Sequence, residues 1–295
     1  MHFVDAKGIL TANGGQCGMN IYRGCSHGCI YCDSRSKCYR FTHPFEDIEV
    51  KQNAPELLEN ALKSKRKRCM IATGAMSDPY MHCEEKLRMT RKCLKIIAKY
   101  GFGAAIQTKS DRILEDIDLL DTINKNAKCV VQMTLTTYDD RLCSIIEPNV
   151  CNTKRRIEVL ERMKDRGIST VVWLSPILPY INDTEANIES IISECIRVDV
   201  KGIICFGMGM TLREGDREYY YDALDKHFPG LKQKYIETYG NAYELDSPNS
   251  KSLMRLFKDM CKKNGIMYRP DECFEYIRTL PDRYSQMSLF DMQGV

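Results

Sequence analysis

The sequence predicts an α/β protein with the architecture of an open or partial (β/α)6 barrel. Six short apolar runs rich in β-branched residues alternate with longer segments of helical spacing, and turn residues separate the two kinds of segment. This alternation is typical of a parallel sheet covered by helices, and uniformly apolar strands fit a sheet that is buried on both faces. Six units are fewer than the eight of a closed barrel, so we expect an active site at the carboxyl ends of an incomplete barrel.

The predicted strands share a short apolar core bounded by turn residues and span 19–22, 69–73, 104–107, 129–135, 170–174 and 202–206. The segments between them place apolar residues on one side and predict helices at 55–63, 84–100, 111–124, 154–166, 183–197 and 214–227. Asn53 is the expected cap of the first helix, and Gly101 and Gly167 are expected to end the second and fourth helices.

The domain organisation follows from the absence of any Pro-, Gly- or Ser-rich linker between these units. We expect residues 1–230 to form one partial-barrel domain. Residues 231–295 are predicted to be a C-terminal extension with one helix at 250–264, followed by a flexible tail.

The composition is that of a soluble globular protein, with 43% hydrophobic and 28% charged residues and a net charge of +3. This mild charge does not by itself indicate a nucleic acid or a membrane as partner. No apolar run approaches the ~20 residues that cross a bilayer, and the N-terminus does not resemble a signal peptide, so we expect a cytoplasmic protein. In that compartment the fifteen cysteines are expected to be thiols, metal ligands or nucleophiles.

The most informative stretch contains Cys25, Cys29 and Cys32, spaced four and three residues apart in a Gly-containing loop after the first predicted strand. Thiolates are soft ligands that bind zinc and iron–sulfur clusters. A structural zinc ion would need a fourth ligand, for which Cys38 or His27 is available, whereas a cluster on three cysteines keeps one iron open. The spacing alone leaves both interpretations open.

The Cys-x-x-x-Cys-x-x-Cys motif after the first strand of a six-unit βα protein resembles the radical S-adenosylmethionine (SAM) superfamily. The resemblance implies a [4Fe–4S] cluster on Cys25, Cys29 and Cys32, SAM on the fourth iron, and a reducing electron donor as partner. In that superfamily an electron from the cluster cleaves SAM, and the resulting 5′-deoxyadenosyl radical takes a hydrogen atom from the substrate. Tyr31 matches the aromatic residue that packs near the SAM adenine.

A longer match resembles the spore photoproduct lyase-like branch, also called DNA repair photolyase-like. It covers segments 20–32, 73–80, 107–111, 133–136, 147–148 and 207–210. The resemblance implies that Lys109 and Thr134 hold the methionine and ribose portions of SAM, and that Ser175, Met208 and Gly209 line the adenine side. The alternatives for Lys109 and Thr134 are a surface lysine and an ordinary β-branched strand residue.

The loop after the second strand departs from that branch. True spore photoproduct lyases carry a cysteine there that returns a hydrogen atom to the product radical, and Ala75 aligns with it, while Cys83 lies just downstream. Ser77, Asp78 and Tyr80 are candidates to face the substrate, although Asp78 before a proline is also good turn chemistry. The radical chemistry is therefore expected to be retained, and the reversal of thymine dimers is not.

The C-terminal tail carries Gln286, Leu289 and Phe290, which resemble the short motif that docks bacterial DNA enzymes on the replication sliding clamp. A flexible tail would offer the glutamine amide and the Leu-Phe pair to a preformed apolar pocket. Folding of the pair back onto the core is the alternative.

Three functions follow from these observations. The first is a radical SAM enzyme that acts, as a lyase does, on a DNA lesion or a modified nucleotide. The second is a radical SAM enzyme with a peptide or small metabolite as substrate. The third is a non-catalytic protein that binds zinc or an iron–sulfur cluster.

Overall fold

The computed structural model describes residues 1–13 and 15–281. Its strands are β1 (His2–Val4), β2 (Leu10–Asn13), β3 (Gln16–Met19), β4 (Tyr22–Arg23), β5 (Glu49–Lys51), β6 (Met70–Thr73), β7 (Gly103–Thr108), β8 (Cys129–Thr134), β9 (Ser169–Trp173), β10 (Gly202–Ile204), β11 (Gly209–Thr211) and β12 (Glu244–Asp246). Its helices are α1 (Ala54–Ser64), α2 (Glu84–Leu87), α3 (Met89–Tyr100), α4 (Ile117–Asn126), α5 (Asp140–Ile146), α6 (Thr153–Asp165), α7 (Glu185–Arg197), α8 (Asp216–His227), α9 (Leu231–Tyr239), α10 (Ser250–Lys263) and α11 (Pro270–Arg278).

The centre of the fold is a seven-stranded sheet in which β3, β6, β7, β8, β9 and β10 follow one another in parallel. β2 adds an antiparallel edge outside β3. The predicted α/β fold with six parallel strands is confirmed. All residues of β8 are buried, as expected for a strand covered on both faces.

The two faces of the sheet are covered by different helices. The main apolar core lies between one face and the helices α1, α3, α4, α6, α7 and α10. On the other face Met70, Ala105 and Val130 pack against Cys273 and Ile277 of α11. α11 therefore covers this second face near the amino ends of the strands, where Gly202 of β10 also bridges to Met267 just before the helix.

The first predicted strand is displaced in the structure. The strand ends at Met19, and the chain then leaves the main sheet, so that Tyr22 and Arg23 pair antiparallel with β5. β1 pairs in parallel with the other edge of β5 and completes a separate three-stranded sheet. This small sheet joins strands that are up to 47 residues apart, a pairing that no local pattern reports.

Two predicted helices differ from the structure in their first turns. The segment expected as one helix at 84–100 is broken at Arg88, whose φ is 51°, because the buried Glu84 carboxylate accepts hydrogen bonds from the amides of Met89 and Thr90 and caps a new helix. The predicted helix at 111–124 starts as a 3₁₀ turn at Asp111–Asp116. Gly101 ends α3 in the left-handed conformation, as predicted.

The C-terminal extension contains more structure than the single helix that we predicted. α9, β12 and α11 were missed, and β12 pairs antiparallel with β11. The backbone amide of Ile203 in β10 donates to the carbonyl of Met267, and Phe257 of α10 lies in the main core. The extension thus packs directly on the barrel, and a domain boundary at residue 230 remains a prediction.

Candidate active site

The cysteine loop connects β4 to a 3₁₀ turn at Asp33–Arg35 and is fixed first by the segment that precedes β5. The backbone amide of Cys25 donates to the carbonyl of Phe45 over 3.2 Å. Gly24 has a φ of 87°, and a Cβ atom there would clash with the same carbonyl oxygen, so the position requires glycine.

The opposite side of the loop rests on the segment that ends α5. The backbone amide of Asn149 donates to the carbonyl of His27 over 3.1 Å, and its side-chain amide donates to the carbonyl of Ser26 over 3.1 Å. The amide of Ile30 donates to the carbonyl of Ile146 over 3.0 Å. The three thiols therefore lie in a loop whose backbone is held from both sides.

Burial raises the pKa of all three thiols in the motif. It raises the pKa of Cys25 to about 12, with a further contribution from Asp78. It raises the pKa of Cys29 and Cys32 above the usual thiol range, against the opposing charge of Lys109. Such thiols gain most from a bound metal, which supplies the positive charge that stabilises the thiolate.

The chemistry of the three thiols fits a four-iron cluster. Cysteine thiolates are the usual ligands of such a cluster, and three of them leave one iron open. The thiols lie in one loop, and the Lys109 cation near Cys29 and Cys32 offsets part of the negative charge that three thiolates would bring. These residues therefore fit the cluster.

A cavity of about 500 Å³ lies beside the loop, at the carboxyl ends of the parallel strands. Four predicted SAM contacts, Tyr31, Lys109, Thr134 and Ser175, line it together with the predicted cluster ligand Cys32. The residues come from the cysteine loop and from the ends of β7, β8 and β9, which explains how positions far apart in sequence meet.

The two remaining predicted SAM contacts are placed differently from each other. Gly209 lines the cavity, as does its neighbour Met210, whereas the Met208 side chain is fully buried in the main core and is not among the cavity-lining residues. β11 begins at Gly209, so the chain turns at this point and directs neighbouring side chains to different sides. Met210 is therefore the better candidate on this wall.

Sequence reasoning missed several lining residues. Glu244 and Asp246 reach the cavity through β12, which pairs with β11. Phe206 and Trp173 supply an aromatic wall, with ring centroids 5.9 Å apart. No sequence signal connects β12 to the site, but Trp173 lies at the end of a predicted strand, where site residues are expected.

Tyr31 is oriented by a buried ionic network. Its hydroxyl donates to a carboxylate oxygen of Glu147, and the other Glu147 oxygen lies 2.5 Å from the guanidinium of Arg156. Both charged side chains are fully buried, and Arg156 also donates to the carbonyls of Thr134 and Cys151 over 3.1 and 2.9 Å. The network links the cysteine loop, the end of β8 and the start of α6.

Lys109 lies beside this network, with Nζ 5.8 Å from the Tyr31 ring centroid. Burial lowers the pKa of Lys109, but the charges of Cys29 and Glu147 outweigh it, and the pKa is raised on balance. The side chain is thus a cation beside the cavity, as a ligand carboxylate would require.

Asp78 holds the ends of the strands together and does not face the cavity. Its carboxylate accepts hydrogen bonds from the hydroxyl of Thr108 and from the amides of Lys109 and Tyr80, each over 2.8 Å. Ser77 and Tyr80 are also buried and lie outside the cavity lining, which in this loop consists of Ala75 and Met76. The Asp78 side chain therefore stabilises the turn after β6.

Cys83, the candidate to replace the hydrogen-donating cysteine of true lyases, lies outside the cavity lining. Cys83 is half-buried, and burial together with the charge of Glu84 raises its pKa to about 11. It is not among the residues that line the cavity, while Ala75 is. All fifteen cysteines lie among the described residues, and none of them is paired in a disulfide.

The predicted clamp-docking residues Gln286, Leu289 and Phe290 lie outside the described residues, and no comparison supports the docking. Among the residues that the structure describes, no helix combines the length and apolarity needed to span a bilayer.

Comparison with known proteins identifies the class. The family model of the radical SAM superfamily matches residues 19–192, more than half of the chain. The protein therefore belongs to the radical SAM superfamily, whose members use a [4Fe–4S] cluster and SAM.

The sequence relatives of the protein include two uncharacterised proteins. An uncharacterised protein of Methanocaldococcus jannaschii is 33% identical over 170 residues, which cover 57% of this chain and 62% of that protein. An uncharacterised protein of Mycobacterium tuberculosis is 25% identical over 243 residues, covering 80% of this chain and 71% of the relative.

The solved structures that it resembles include spore photoproduct lyase complexed with dinucleoside spore photoproduct, with a TM-score of 0.60 over 85% of this chain and 75% of that chain, at 12% identity. A mutant of the lyase with bound AdoMet and the same dinucleoside gives the same TM-score, identity and shares of the two chains. This likeness shows a common fold and confirms the predicted radical SAM barrel.

Proposed function

We propose that this protein is a radical SAM enzyme that abstracts a hydrogen atom from a nucleobase-containing substrate bound at the mouth of the described cavity. The cluster would be held by Cys25, Cys29 and Cys32. Together the cluster and SAM supply a 5′-deoxyadenosyl radical when bound. The observation that carries the proposal is the single cavity that joins the cysteine loop to residues at the carboxyl ends of three parallel strands.

The chain's own side chains suit the SAM part of the cavity. Lys109 presents a cation to a carboxylate, while the hydroxyls of Thr134 and Ser175 can donate hydrogen bonds to it or to a ribose. Glu244 and Asp246 can accept hydrogen bonds from ribose hydroxyls or an ammonium group. Tyr31 offers an aromatic face whose position is fixed through its hydroxyl.

The aromatic residues at the mouth of the cavity can bind a substrate with a flat aromatic ring. Phe206 lines the cavity although 61% of its surface is exposed. It stacks on Phe274 with the rings 27° from parallel and lies against Trp173, so the ring is held in place by its neighbours. Exposed, fixed aromatic rings are the usual platform for unpaired bases, at about 1–3 kcal/mol per stacked base.

Spore photoproduct lyase, which has a similar fold, is known in complex with dinucleoside spore photoproduct, and this supports a nucleic-acid substrate. Ala75 lies in the cavity wall where the resemblance places the hydrogen-donating cysteine of true lyases. We therefore propose abstraction from a different lesion or modified base, rather than reversal of the spore photoproduct.

The test compares Phe206→Ala with Tyr138→Ala, because Tyr138 is 45% exposed and lies outside the cavity lining. Single-stranded DNA binding by the reconstituted protein should weaken about 5- to 150-fold in Phe206→Ala, matching the loss of one stacked base, and should be unchanged in Tyr138→Ala. Equal affinities in both variants would refute the stacking role. Transfer of deuterium from labelled DNA into 5′-deoxyadenosine would then identify the base.

A second candidate substrate is a peptide or a small metabolite, and the charge of the cavity favours it. Glu244 and Asp246 line the cavity against one cation, Lys109, while the third lining carboxylate, Asp33, is paired with Arg213 over 3.1 Å, and this excess of carboxylates repels phosphates. Phosphate-dependent binding weakens steeply as salt is raised. DNA that is not retained even at low salt would favour this second candidate over the first.

A further inference from the structure

A cluster of metal-ligand side chains lies in the small sheet, separate from the cysteine loop. His2 stands in β1 and Glu49 in β5, directly opposite each other in the parallel register. His43 approaches from the preceding segment, and one donor atom from each of the three lies within 4.8 Å of the others. Among the described residues, no other three such side chains bring their donor atoms this close together.

The hydrogen bonds of His43 direct a lone pair into the cluster. Its Nδ1 lies 3.0 Å from the backbone carbonyl of Pro44, which can only accept, so the proton is on Nδ1. Nε2 of a neutral imidazole then carries the lone pair. That nitrogen is buried, has no hydrogen-bond partner, and lies 3.8 Å from a carboxylate oxygen of Glu49. A cation between the two would satisfy both.

His2 is oriented in the same manner. Its Nδ1 lies 3.0 Å from a carboxylate oxygen of Asp47, which leaves Nε2 as the lone-pair nitrogen. Metal-binding histidines typically donate their other ring N–H to a carboxylate or a backbone carbonyl in this way. The rings of His2 and His43 meet edge to face, with centroids 4.8 Å apart, so both face one small volume.

We propose that His2, His43 and Glu49 bind a divalent transition metal ion, with zinc as the best match. Two imidazoles and a carboxylate are zinc ligands, and a water molecule can complete four-coordination. The side chains are 39%, 15% and 18% exposed, so the ion can enter from solvent and still be partly enclosed.

The ion would connect β1 and β5 to the segment that supports the cluster loop. Phe41 stacks edge to face on His43 and on Phe45, whose carbonyl accepts the Cys25 amide. The proposed role is therefore structural: the ion fixes the backing of the cysteine loop.

Zinc is the probe for the test, and the protein carries a reconstituted cluster and no polyhistidine tag. After incubation with zinc and passage over a chelating resin, we expect one zinc per chain by mass spectrometry. X-ray absorption at the zinc edge should show nitrogen and oxygen ligands at about 2.0–2.1 Å and scattering from imidazole rings. Retention of less than a tenth of an equivalent, or sulfur ligands at about 2.3 Å, would overturn the proposal.

The variants make the assignment specific. His43→Ala and Glu49→Gln should each lower zinc affinity at least tenfold, and Asp47→Asn about tenfold through His2. His227→Ala, which changes an exposed histidine at the end of α8, should retain the zinc. Zinc bound equally by His43→Ala would overturn the proposal. Glu49→Gln serves as the milder variant if His43→Ala does not fold, and iron content reports whether the cluster domain is intact.

Discussion

The buried pair of Arg156 and Glu147 gives the sharpest prediction about what holds the site together. Replacing Arg156 by methionine removes the guanidinium but keeps much of the side-chain volume. The Glu147 carboxylate, which is fully buried, then loses its charge partner 2.5 Å away, and the carbonyls of Thr134 and Cys151 lose their donor. Removing one partner of a buried pair costs ~3–5 kcal/mol of unfolding free energy.

The neighbouring Arg155 provides a matched control on the same helix. It pairs with Asp111 over 2.9 Å and with Glu158 over 2.7 Å, but 46% of its side chain is exposed. Exposed pairs contribute ~0–1 kcal/mol, so Arg155→Met should change stability by at most about 1 kcal/mol. The two substitutions are chemically identical, and the two sites differ in burial and in the backbone carbonyls that Arg156 alone contacts.

The assay is urea unfolding of the anaerobically purified protein, followed by circular dichroism. Adding Glu147→Gln to Arg156→Met removes the stranded charge, so the double variant should be less destabilised than the sum of the two single changes predicts. A loss of 1 kcal/mol or less in Arg156→Met, equal to that of Arg155→Met, would refute the reasoning. Strict additivity in the double variant would show that the two residues are not coupled.

Three further predictions concern the sheet, the pH dependence of stability and SAM binding. Gly74→Ala should lower the thermal midpoint far more than Gly167→Ala. Gly74 has a φ of 103°, and a Cβ there would overlap a backbone carbonyl of β7, whereas a Cβ at Gly167 would meet no atom within 4 Å. Equal midpoints would contradict this prediction. Burial raises the pKa of Asp216 to about 6, although a hydrogen bond from the backbone amide of Arg213 lowers it, so this group makes the protein less stable as pH rises from about 4 to 6. Asp216→Asn should remove that loss of stability, measured as urea midpoints across this pH range. An unchanged dependence of the midpoint on pH would contradict the prediction. Lys109→Met should weaken the binding of SAM to the reconstituted protein about tenfold or more, measured by equilibrium dialysis. The control is Lys128→Met, which changes a half-buried lysine just before the start of β8 and should leave the affinity unchanged. Equal affinities in the two variants would show that Lys109 does not bind SAM.

The barrel could be predicted from sequence because its strands are buried on both faces. β7, β8 and β9 appear as nearly continuous apolar runs, which few other environments select. The small sheet could not be predicted, because β1 and β5 are three residues long and pair across the whole cysteine loop. The break at Arg88 was also hidden, since a glutamate that caps a following helix looks like any surface glutamate.

The candidate site was predictable where a motif marked it and not elsewhere. The resemblance to the spore photoproduct lyase-like branch selected Lys109 and Thr134, which share one cavity with Tyr31. Arg156 lies in a helix rich in exposed basic residues, and nothing in its periodicity distinguishes a fully buried arginine. β12 contributes to the cavity through a pairing with β11 that only the folded chain reveals.

The central claim is that Cys25, Cys29 and Cys32 support SAM cleavage, and one measurement tests it directly. The protein is reconstituted anaerobically with iron and sulfide, given dithionite and SAM, and assayed for 5′-deoxyadenosine. We expect slow formation by the wild-type protein and by Cys38→Ala, an exposed cysteine just beyond the motif, and none by Cys29→Ala. A protein that makes 5′-deoxyadenosine without Cys29, or one that holds zinc on these thiols and makes none, would contradict the account.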